Sequence, residues 1–198
     1  MILQPKISIV TIVYNDLKHI EGTLLSVLNQ TYQNIEYIVI DGASVDGTVE
    51  VIKKYAERLS YWVSEKDRGI YDAMNKGLRA ATGDFVWFIN SGDQVYDPAT
   101  VENLVVCIDN DTDVVYGENV LIDDQGEILG MRRKKAPEKL NWHHFINGMM
   151  VCHQSVLVRQ SVAPAYNEVY RFSADFEWVL VSLKSARKVV NSHQILSR

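Results

Sequence analysis

The strongest constraint on the fold is a set of four apolar runs in the first half of the chain, separated by segments of helical period. The runs lie at residues 6–13, 35–40, 61–65 and 84–90. Nearly continuous apolar, β-branched character is typical of strands that are covered on both faces. Alternation of strand and helix at this spacing predicts an α/β fold with a parallel, doubly wound sheet.

The segments between these runs carry signals of helix starts. Asn15 or Asp16 is predicted to cap the first helix and Asp46 the second. A third helix is predicted over 70–81. The Asp-Pro pair at 97–98 places proline at the first helical position of a fourth helix, which is predicted to end near residue 108.

The alternation stops after about residue 113. The second half is predicted to contain strands at 114–117 and 120–130, a short helix after Pro137, a β-like stretch at 149–159 and a last helix at 174–186. No repeat, low-complexity segment or linker separates the two halves. The 198 residues are therefore predicted to form a single domain.

Polar residues follow each of the four predicted strands. They lie at 11–15, 41–44, 65–69 and 90–93, and three of these segments bear an acid. Ligands of doubly wound sheets bind beyond the carboxyl ends of the strands, so this edge is the predicted site. Asp41 precedes a glycine turn at the edge and is predicted to face a ligand, whereas Asp46 is predicted only to start a helix.

Asp93 ends the run FVWFINSGD as a lone acid, which can hold a metal ion, cap a helix or begin a solvated turn. Neither the G-x-G-x-x-G nor the P-loop pattern occurs, so the diphosphate of a bound nucleotide needs another counter-charge. Mg²⁺ or Mn²⁺ supplies that charge through oxygen ligands. Asp93 is the candidate ligand and is expected to be the sole acidic one, with phosphates and water completing the shell.

The segment DRGIYDAMNKG contains a second candidate group at the start of the third helix. Arg68 precedes the helix and can pair with a phosphate or with Asp41. Asp72 and Asn75 are three residues apart and so share one helix face. The alternative is a helix start with ordinary caps.

Two further positions stand late in the sequence. His153 and Gln154 are adjacent on a predicted strand, so only one of them faces a given cleft, and a lone histidine is more often structural than catalytic. Asp175 begins the last predicted helix. It is either an N-cap, a role that Ser173 can also fill, or a general base kept ionised by the helix terminus.

Charge argues against one class of partner. The net charge of −5 makes a nucleic acid an unexpected ligand. One basic cluster occurs, formed by Arg132, Arg133, Lys134, Lys135 and Lys139. It is either a solvated loop or a patch that meets anionic lipid headgroups or a phosphate-bearing substrate.

The two cysteines and the distribution of apolar residues predict where in the cell the protein lies. Cys107 and Cys152 lie among apolar residues and are expected to be buried, reduced thiols of a cytoplasmic protein. The first ten residues lack the features of a signal peptide, and no run reaches the roughly 18 apolar residues of a membrane span. A soluble or peripheral membrane protein is expected.

Taken in order and spacing, four segments resemble the family 2 glycosyltransferases of GT-A fold, and most of all the bacterial enzymes of surface-polysaccharide and O-antigen assembly. They are SIVTIVYND, IEYIVIDGASVDGT, DRGIYDAMNKGLRAATGDFVWFINSGD and FSADFEW. The resemblance covers residues 6–95 and extends more thinly to Asp175. It implies a Rossmann-like domain with a mostly parallel sheet flanked by helices and a smaller mixed β region in the C-terminal half.

The resemblance also implies an activity. The family transfers a sugar from a nucleotide-sugar, here a UDP-sugar in first place, usually with inversion and with Mg²⁺ or Mn²⁺. The acceptor is a glycan or a lipid-linked glycan, with possible peripheral membrane contact. Residues 1–112 would bind the donor and residues 113–198 the acceptor, in a region that is short for the family and either abbreviated or cut.

Site roles follow from the resemblance position by position. The nucleoside contacts fall on Thr11, Tyr14, Asn15 and Asp41, and the donor pocket falls on Arg68, Asp72 and Asn75. The acid-rich motif corresponds to Asn90, Ser91 and Asp93. The phosphate or acceptor contacts fall on His153 and Gln154, and the catalytic base on Asp175. Two departures concern acids: Gly42 replaces the second acid of the common DDGS turn, and Asn90 and Gly92 stand where the metal motif often has Asp.

Two other functions compete with a glycosyltransferase. A nucleotidyltransferase on a similar sheet would need a glycine-rich, basic loop near the N-terminus, which IVTIVYND does not provide. A non-catalytic sugar- or nucleotide-binding module with a decayed metal site would explain Asn90 and Gly92. The sequence leaves the oligomeric state open.

Overall fold

The structure is a computed structural model and describes residues 4–198. The first half of the chain alternates strand and helix: β1 Ile7–Val13, α1 Ile20–Leu28, β2 Ile35–Asp41, α2 Thr48–Lys54, β3 Tyr61–Ser64, α3 Ile70–Ala80, β4 Phe85–Phe88 and α4 Thr100–Val105. The second half contributes β5 Thr112–Ile122, β6 Ile128–Met131, β7 Val156–Arg159, α5 Ala174–Ser185 and β8 Lys188–Ser197. The predicted α/β class is confirmed.

One sheet joins the two halves. Within the described chain it has eight strands in the order β3-β2-β1-β4-β7-β5-β6, and β8 pairs with β5. Strands β1 to β4 are mutually parallel wherever they pair, whereas β7 is antiparallel to both β4 and β5. The parallel half and the mixed half predicted from the sequence are therefore parts of a single sheet.

Helices cover both faces of the sheet. One apolar layer contains the inward residues of α3 and α5, among them Met74 and Trp178, and the other contains those of α1, α2 and α4, such as Leu24. Gly77 lets α3 lie close to β1, because a Cβ at this position would collide with the Cγ1 atom of Val10. These layers hold the carboxyl edge of β1, β2 and β4 rigidly in place.

The first helix begins later than predicted. Asn15 has a left-handed φ of 49°, and its Oδ1 accepts the N–H of Val45, so it does not cap a helix. The carbonyl of Asp16 accepts the N–H groups of His19 and Ile20 in a turn before the helix. Helix α1 begins at Ile20, with His19 at the N-cap position. The capping role predicted for Asn15 or Asp16 is therefore wrong, because tertiary contacts hold both residues in a loop.

Other element boundaries also differ from those predicted from the sequence. The carboxylate of Asp97 accepts the N–H of Ala99, and α4 begins only at Thr100. Residues 149–152 are not a strand, and His153–Ser155 forms a 3₁₀ turn before β7. The helical segment after Pro137 is the 3₁₀ turn Trp142–Asn147.

The last strand was not predicted. Strand β8 pairs in parallel with β5, and Ser197 also forms an isolated bridge to Val95. Within residues 4–198, every helix is too short or too polar to cross a bilayer.

Candidate active site

A cavity of about 670 Å³ opens at the carboxyl ends of β1, β2 and β4. Its walls are the ends of β1 and β4, the turn at 42–43 and the segment 66–73 that leads into α3. Small-molecule sites in proteins range over about 300–1,000 Å³. The cavity therefore has the size of a nucleotide-sugar site and lies at the predicted edge.

Three of the predicted residues line this cavity. Tyr14 exposes 65% of its surface, and the hydroxyl of Ser91 donates to Asp16 Oδ2 at 2.7 Å. Asn90 also lines the cavity, and its Oδ1 is buried without a hydrogen-bond partner. A buried, unpaired acceptor at the wall of a cavity is typical of a group that awaits a ligand.

Because Gly42 has no side chain, an aromatic ring and a carboxylate lie close to its backbone. A Cβ at this position would lie 3.2 Å from the Tyr14 ring and 2.5 Å from Asp67 Oδ2. Asp67 is held by its Oδ1, which accepts the N–H of Gly69 at 2.9 Å. The departure noted at Gly42 thus leaves room for Tyr14 and Asp67 to lie against the turn at the cavity wall.

Thr11 and Asp41 do not line the cavity, because both are completely buried. The Thr11 hydroxyl donates to the Ile89 carbonyl at 2.7 Å, and the carboxylate of Asp41 accepts the backbone N–H and hydroxyl of Ser44 and the hydroxyl of Ser64. Their polar atoms are used inside the protein. In the structure both side chains support the cavity wall, and their contact with a nucleoside stays a prediction.

Asn15 stands at the rim. Its backbone N–H donates to Ser44 Oγ at 2.7 Å, and its side chain accepts from Val45 at 2.8 Å. These bonds join the end of β1 to the turn after β2. Asn15 therefore fixes the loop beside Tyr14 and lies next to the cavity without lining it.

The group predicted at the start of α3 forms a network with a residue from the second half. Arg68 contacts Asp72 Oδ1 at 3.1 Å and Glu168 Oε2 at 2.8 Å. Asn75 exchanges two hydrogen bonds with the backbone of Tyr166. Asp72 is buried, and hydrogen bonds from Arg68 lower its pKa against the effect of burial. The network ties segment 166–168 to the start of α3, and the Arg68 head group stays largely exposed.

Asp93 is held by Gln154. Gln154 Nε2 donates to Asp93 Oδ2 at 2.8 Å, and Cys152 Sγ donates to Gln154 Oε1 at 2.9 Å. Burial raises the pKa of Asp93 to about 6, although the bond from Gln154 acts against the rise. The two predicted residues are thus brought together, three residues beyond the unpaired oxygen of Asn90.

These oxygens fit a divalent cation that shares its shell with phosphates. Asp93 and Asn90 offer hard oxygen donors, which Mg²⁺ and Mn²⁺ prefer. No cluster of three or more His, Cys, Asp or Glu side chains that could ligate a metal occurs among residues 4–198. Any cation here would take most of its ligands from the nucleotide and water.

His153 is buried away from the cavity. Its Nε2 lies 2.7 Å from the Tyr166 hydroxyl, and its ring packs against Phe88 and Trp178. Burial lowers the pKa of His153 to about 4, although the charge of Asp175 acts in the opposite direction. A neutral, enclosed imidazole cannot balance a phosphate. In the structure His153 has a packing role, and its expected contact with a phosphate or an acceptor stays a prediction.

Asp175 lies in the first turn of α5 and makes no cap. Ser173 occupies the N-cap position with φ 72°, and no side chain caps the helix. Tyr71 Oη donates to Asp175 Oδ1 at 3.3 Å. Tyr71 follows Ile70, which lines the cavity. The structure does not show the N-cap alternative weighed for Asp175, and the general base stays a prediction.

Sequence reasoning missed four residues of this region. Asp16 and Asp67 line the cavity, Tyr71 orients Asp175, and Glu168 pairs with Arg68. Asp16 and Asp67 stand in or directly beside the polar strand-end segments, so their position was a usable signal. Tyr71 has the pattern of a core residue, and Glu168 lies in an irregular segment with no pattern.

A cavity at the carboxyl edge of parallel strands, in a sheet that a mixed second half completes, is the arrangement expected of a GT-A fold. The chain belongs to the family described as glycosyl transferase family 2, whose model matches residues 8–166. This confirms the resemblance stated from the motifs.

Known proteins agree with this assignment. An uncharacterized glycosyltransferase of Mycobacterium tuberculosis is 33% identical over 181 residues, which are 89% of this chain and 68% of the relative. The crystal structure of Staphylococcus aureus TarS in complex with UDP-GlcNAc superposes with a TM-score of 0.78 at 22% identity, covering 97% of this chain and 57% of that one.

A second solved structure shares the fold. The mannosyltransferase PcManGT of Pyrobaculum calidifontis, in complex with GDP-Man and Mn²⁺, superposes with a TM-score of 0.69 at 17% identity, covering 98% of this chain and 56% of that one. The chain thus spans between half and two thirds of the length of these two solved chains. The structural similarity at this identity establishes the fold, and the expected GT-A class is confirmed.

Proposed function

We propose that this domain is an inverting glycosyltransferase that moves a sugar from a nucleotide-sugar to an acceptor hydroxyl in the assembly of a cell-surface polysaccharide. The observation that carries the proposal is a polar cavity at the carboxyl ends of the parallel strands, with two carboxylates beyond its lining residues. Asp93 follows the lining residues Asn90 and Ser91 in the chain, and Asp175 accepts from Tyr71, the neighbour in sequence of the lining residue Ile70.

The donor is proposed to occupy the cavity with its base beside Tyr14 and Asp67. Tyr14 offers a ring face for stacking, and Asp67 offers an acceptor for an N–H or a ribose hydroxyl. Asn90 and Ser91 lie where the ribose or phosphates would follow. A UDP-sugar remains the first choice, and the neighbours bound to UDP-GlcNAc and GDP-Man support a nucleotide-sugar of this kind.

We propose that Mg²⁺ or Mn²⁺ is held by Asp93, with Asn90 Oδ1 as a second candidate oxygen. When bound, the cation would neutralise charge on the diphosphate leaving group. Arg68 keeps an exposed guanidinium at the entrance to α3 and can add a second positive charge. Gln154 acts on Asp93 by fixing one carboxylate oxygen.

Asp175 is proposed to take the proton from the acceptor hydroxyl. Tyr71 binds one oxygen of its carboxylate, which orients the other toward an incoming group. The deprotonated hydroxyl attacks the anomeric carbon on the face opposite the leaving diphosphate, so the configuration inverts. Residues 1–112 would serve the donor and residues 113–198 the acceptor, in a cytoplasmic protein.

The test is transfer by an Asp175→Asn variant. Loss of a general base lowers rates by roughly 10²–10⁴-fold, and we expect a loss in kcat of that size with an unchanged Kd for UDP or GDP. Glu177→Gln is the matched control, since Glu177 lies in the same helical turn. Full transfer activity in Asp175→Asn would disprove the base assignment.

A non-catalytic nucleotide-binding module is the second candidate. The observation in its favour is the lack of further acids, since Asn90 and Gly92 accompany Asp93. A panel of UDP-, GDP- and dTDP-sugars with and without Mn²⁺ separates the two. Binding of a nucleotide without hydrolysis or transfer of any sugar would favour the module.

A further inference from the structure

We propose that this domain docks on a bilayer with anionic headgroups through a basic–apolar surface formed by Trp142, Ile146, Lys134 and Lys184. This surface deepens the proposed function, on which its purpose rests, because it specifies how a lipid-linked acceptor would reach Asp175. The docking itself is a separate physical property of the chain. It is argued from side chains that the cavity and the two carboxylates do not use.

The 3₁₀ turn Trp142–Asn147 is anchored by its central residue. Phe145 is buried, and its ring lies 5.1 Å from that of Phe176 in an edge arrangement. The Asn141 side chain accepts from the N–H of His143, and His144 caps back onto Asn141, which closes the start of the turn. A turn fixed in this way presents its neighbouring side chains outward.

Those neighbours are large and apolar. Ile146 exposes 82% of its surface and Trp142 exposes 38%. An isolated exposed apolar residue needs no explanation. Here a tryptophan and an isoleucine flank one anchored turn, and this pair has the composition of the anchors that peripheral proteins place at the headgroup level of a membrane.

Basic side chains frame the same turn. Lys134 Nζ donates to the Asn147 carbonyl at 2.6 Å, and Lys184 Nζ lies 4.9 Å from the centroid of the Trp142 ring. Arg132 Nη2 donates to the Met149 carbonyl at 2.8 Å, which fastens the basic loop along the segment after the turn. Positive charge therefore lies on both sides of the apolar tip.

The sign of this charge selects the partner. The chain carries a net charge of −5, yet residues 132–139 contain five basic residues and one acid, Glu138. Glu138 lies 3.5 Å from His193, on the last strand. A local positive surface on an acidic protein complements an anionic leaflet, and each lysine near such a surface contributes about 1 kcal/mol, or about fivefold in binding.

The surface lies beside the proposed base. Phe176, which packs on Phe145, follows Asp175 directly in α5. Docking through the turn would bring the start of α5 close to the headgroup level. The reactive hydroxyl of a lipid-linked sugar lies at that level, so the acceptor would approach Asp175 without leaving the membrane.

Vesicle flotation of the full chain tests the proposal, with phosphatidylcholine vesicles compared with vesicles that also contain phosphatidylglycerol. We expect binding to the anionic vesicles only, and a loss of about tenfold or more in Lys134→Glu/Lys184→Glu. Ile146→Ser should lower the binding severalfold at unchanged charge. The matched controls are Lys53→Glu/Lys54→Glu on α2 and Val106→Ser after α4, on the opposite face of the sheet.

Several outcomes would overturn the proposal. These are no preference of the native chain for anionic vesicles, equal losses in the control variants, or a dimer in light scattering that Ile146→Ser abolishes, which would assign the surface to a second copy. Thermal unfolding of each variant identifies a misfolded one, and Ile146→Ser keeps the test decisive if the charge reversal unfolds the chain. Flotation needs no donor, so a protein that floats but transfers no sugar would refute the proposed function alone.

Discussion

At the scale of single residues, burial rather than sequence context sets the charge states of the site. The pKa of Asp93 rises to about 6, whereas the pKa of His153 falls to about 4, and burial is the largest cause in both cases. Both shifts favour the neutral form. The protein interior thus favours the uncharged form of both groups at weakly acidic pH.

The shift at His153 predicts a pH dependence of stability. The folded pKa of about 4 lies below the ordinary value of 6.5, so the unfolded state binds the proton first as the pH falls. As the pH falls from 6.5 to 4, this group should lower the free energy of unfolding by up to about 1.4 kcal/mol per pH unit. Urea unfolding of the native chain and of His153→Gln across this range measures the difference in slope.

Asp93 acts in the opposite direction and serves as the internal check. Its folded pKa lies above the unfolded value, so its destabilising effect declines as the pH falls below about 6 and is gone below the unfolded pKa near 3.8. Asp93→Asn should therefore steepen the loss of stability on acidification, while His153→Gln should flatten it. Identical slopes in the two variants would refute this account.

The close approach of Asp67 and Tyr14 to Gly42 predicts that a side chain at this position weakens nucleotide binding. In Gly42→Ala the new methyl group would meet Asp67 Oδ2 at 2.5 Å and the Tyr14 ring at 3.2 Å. Asp67 must then turn away, and we expect nucleotide binding to weaken by about tenfold, or about 1.4 kcal/mol. Calorimetric titration with UDP and GDP measures it.

A double-mutant cycle isolates the cause. If the clash with Asp67 is responsible, Gly42→Ala should cost much less affinity in an Asp67→Ala background than in the native one. Equal costs in both backgrounds would mean that the methyl group acts elsewhere, for instance on Tyr14.

At the scale of elements, the approach of α3 to β1 depends on one position. A Cβ at Gly77 would collide with Val10, a buried residue in the centre of the sheet. The movement of α3 would also shift Tyr71 and Asp72, and with them the support of Asp175 and Arg68. Packing of this helix therefore determines the geometry of the site.

Gly77→Ala is expected to destabilise the domain by about 1–3 kcal/mol through overpacking, even though alanine favours the helix by roughly 0.5–1 kcal/mol. Gly22→Ala in α1 is the matched control, since its methyl group would meet only the end of the flexible Gln94 side chain. Chemical denaturation should show Gly22→Ala unchanged or more stable. A neutral Gly77→Ala would show that α3 can move away at no cost.

At the scale of the whole molecule, a buried acid joins strands that are far apart in the sequence. Asp113 in β5 accepts from Arg159 at the end of β7 and from Arg187 just before β8. Asp113 is completely buried, and the hydrogen bonds from Arg187 are the largest cause of its lowered pKa. The C-terminal half is thus fixed to the sheet through one carboxylate.

Asp113→Asn should lower the free energy of unfolding by about 2–3 kcal/mol. The loss should be small for a broken buried ion pair, because Arg187 is largely exposed. The stabilisation by Asp113 is complete above the unfolded pKa near 3.8 and is lost as the pH falls toward the lower folded value. The variant should therefore lose most at neutral pH. Asp111→Asn, at an exposed neighbour, is the control in thermal unfolding.

Much of the architecture was predictable because it is encoded locally. The parallel strands, helix α3 and the position of Asp175 at the start of α5 follow from periodicity and punctuation in short windows. Strand β8 was missed because its partner β5 lies about 75 residues earlier in the sequence, and a half-buried pattern without flanking turn signals does not identify such a pairing.

The amino-acid sequence was enough to predict that polar groups gather at one edge of a parallel sheet, since strand direction places all four carboxyl ends together. It did not show which of those groups face the cavity, and this became clear from the folded chain. Thr11, Asp41 and His153 point into the protein, whereas Tyr14, Asn90 and Ser91 line the cavity. The physical reason is that burial and hydrogen-bond partners depend on segments far apart in the chain, which only the folded sheet brings into contact.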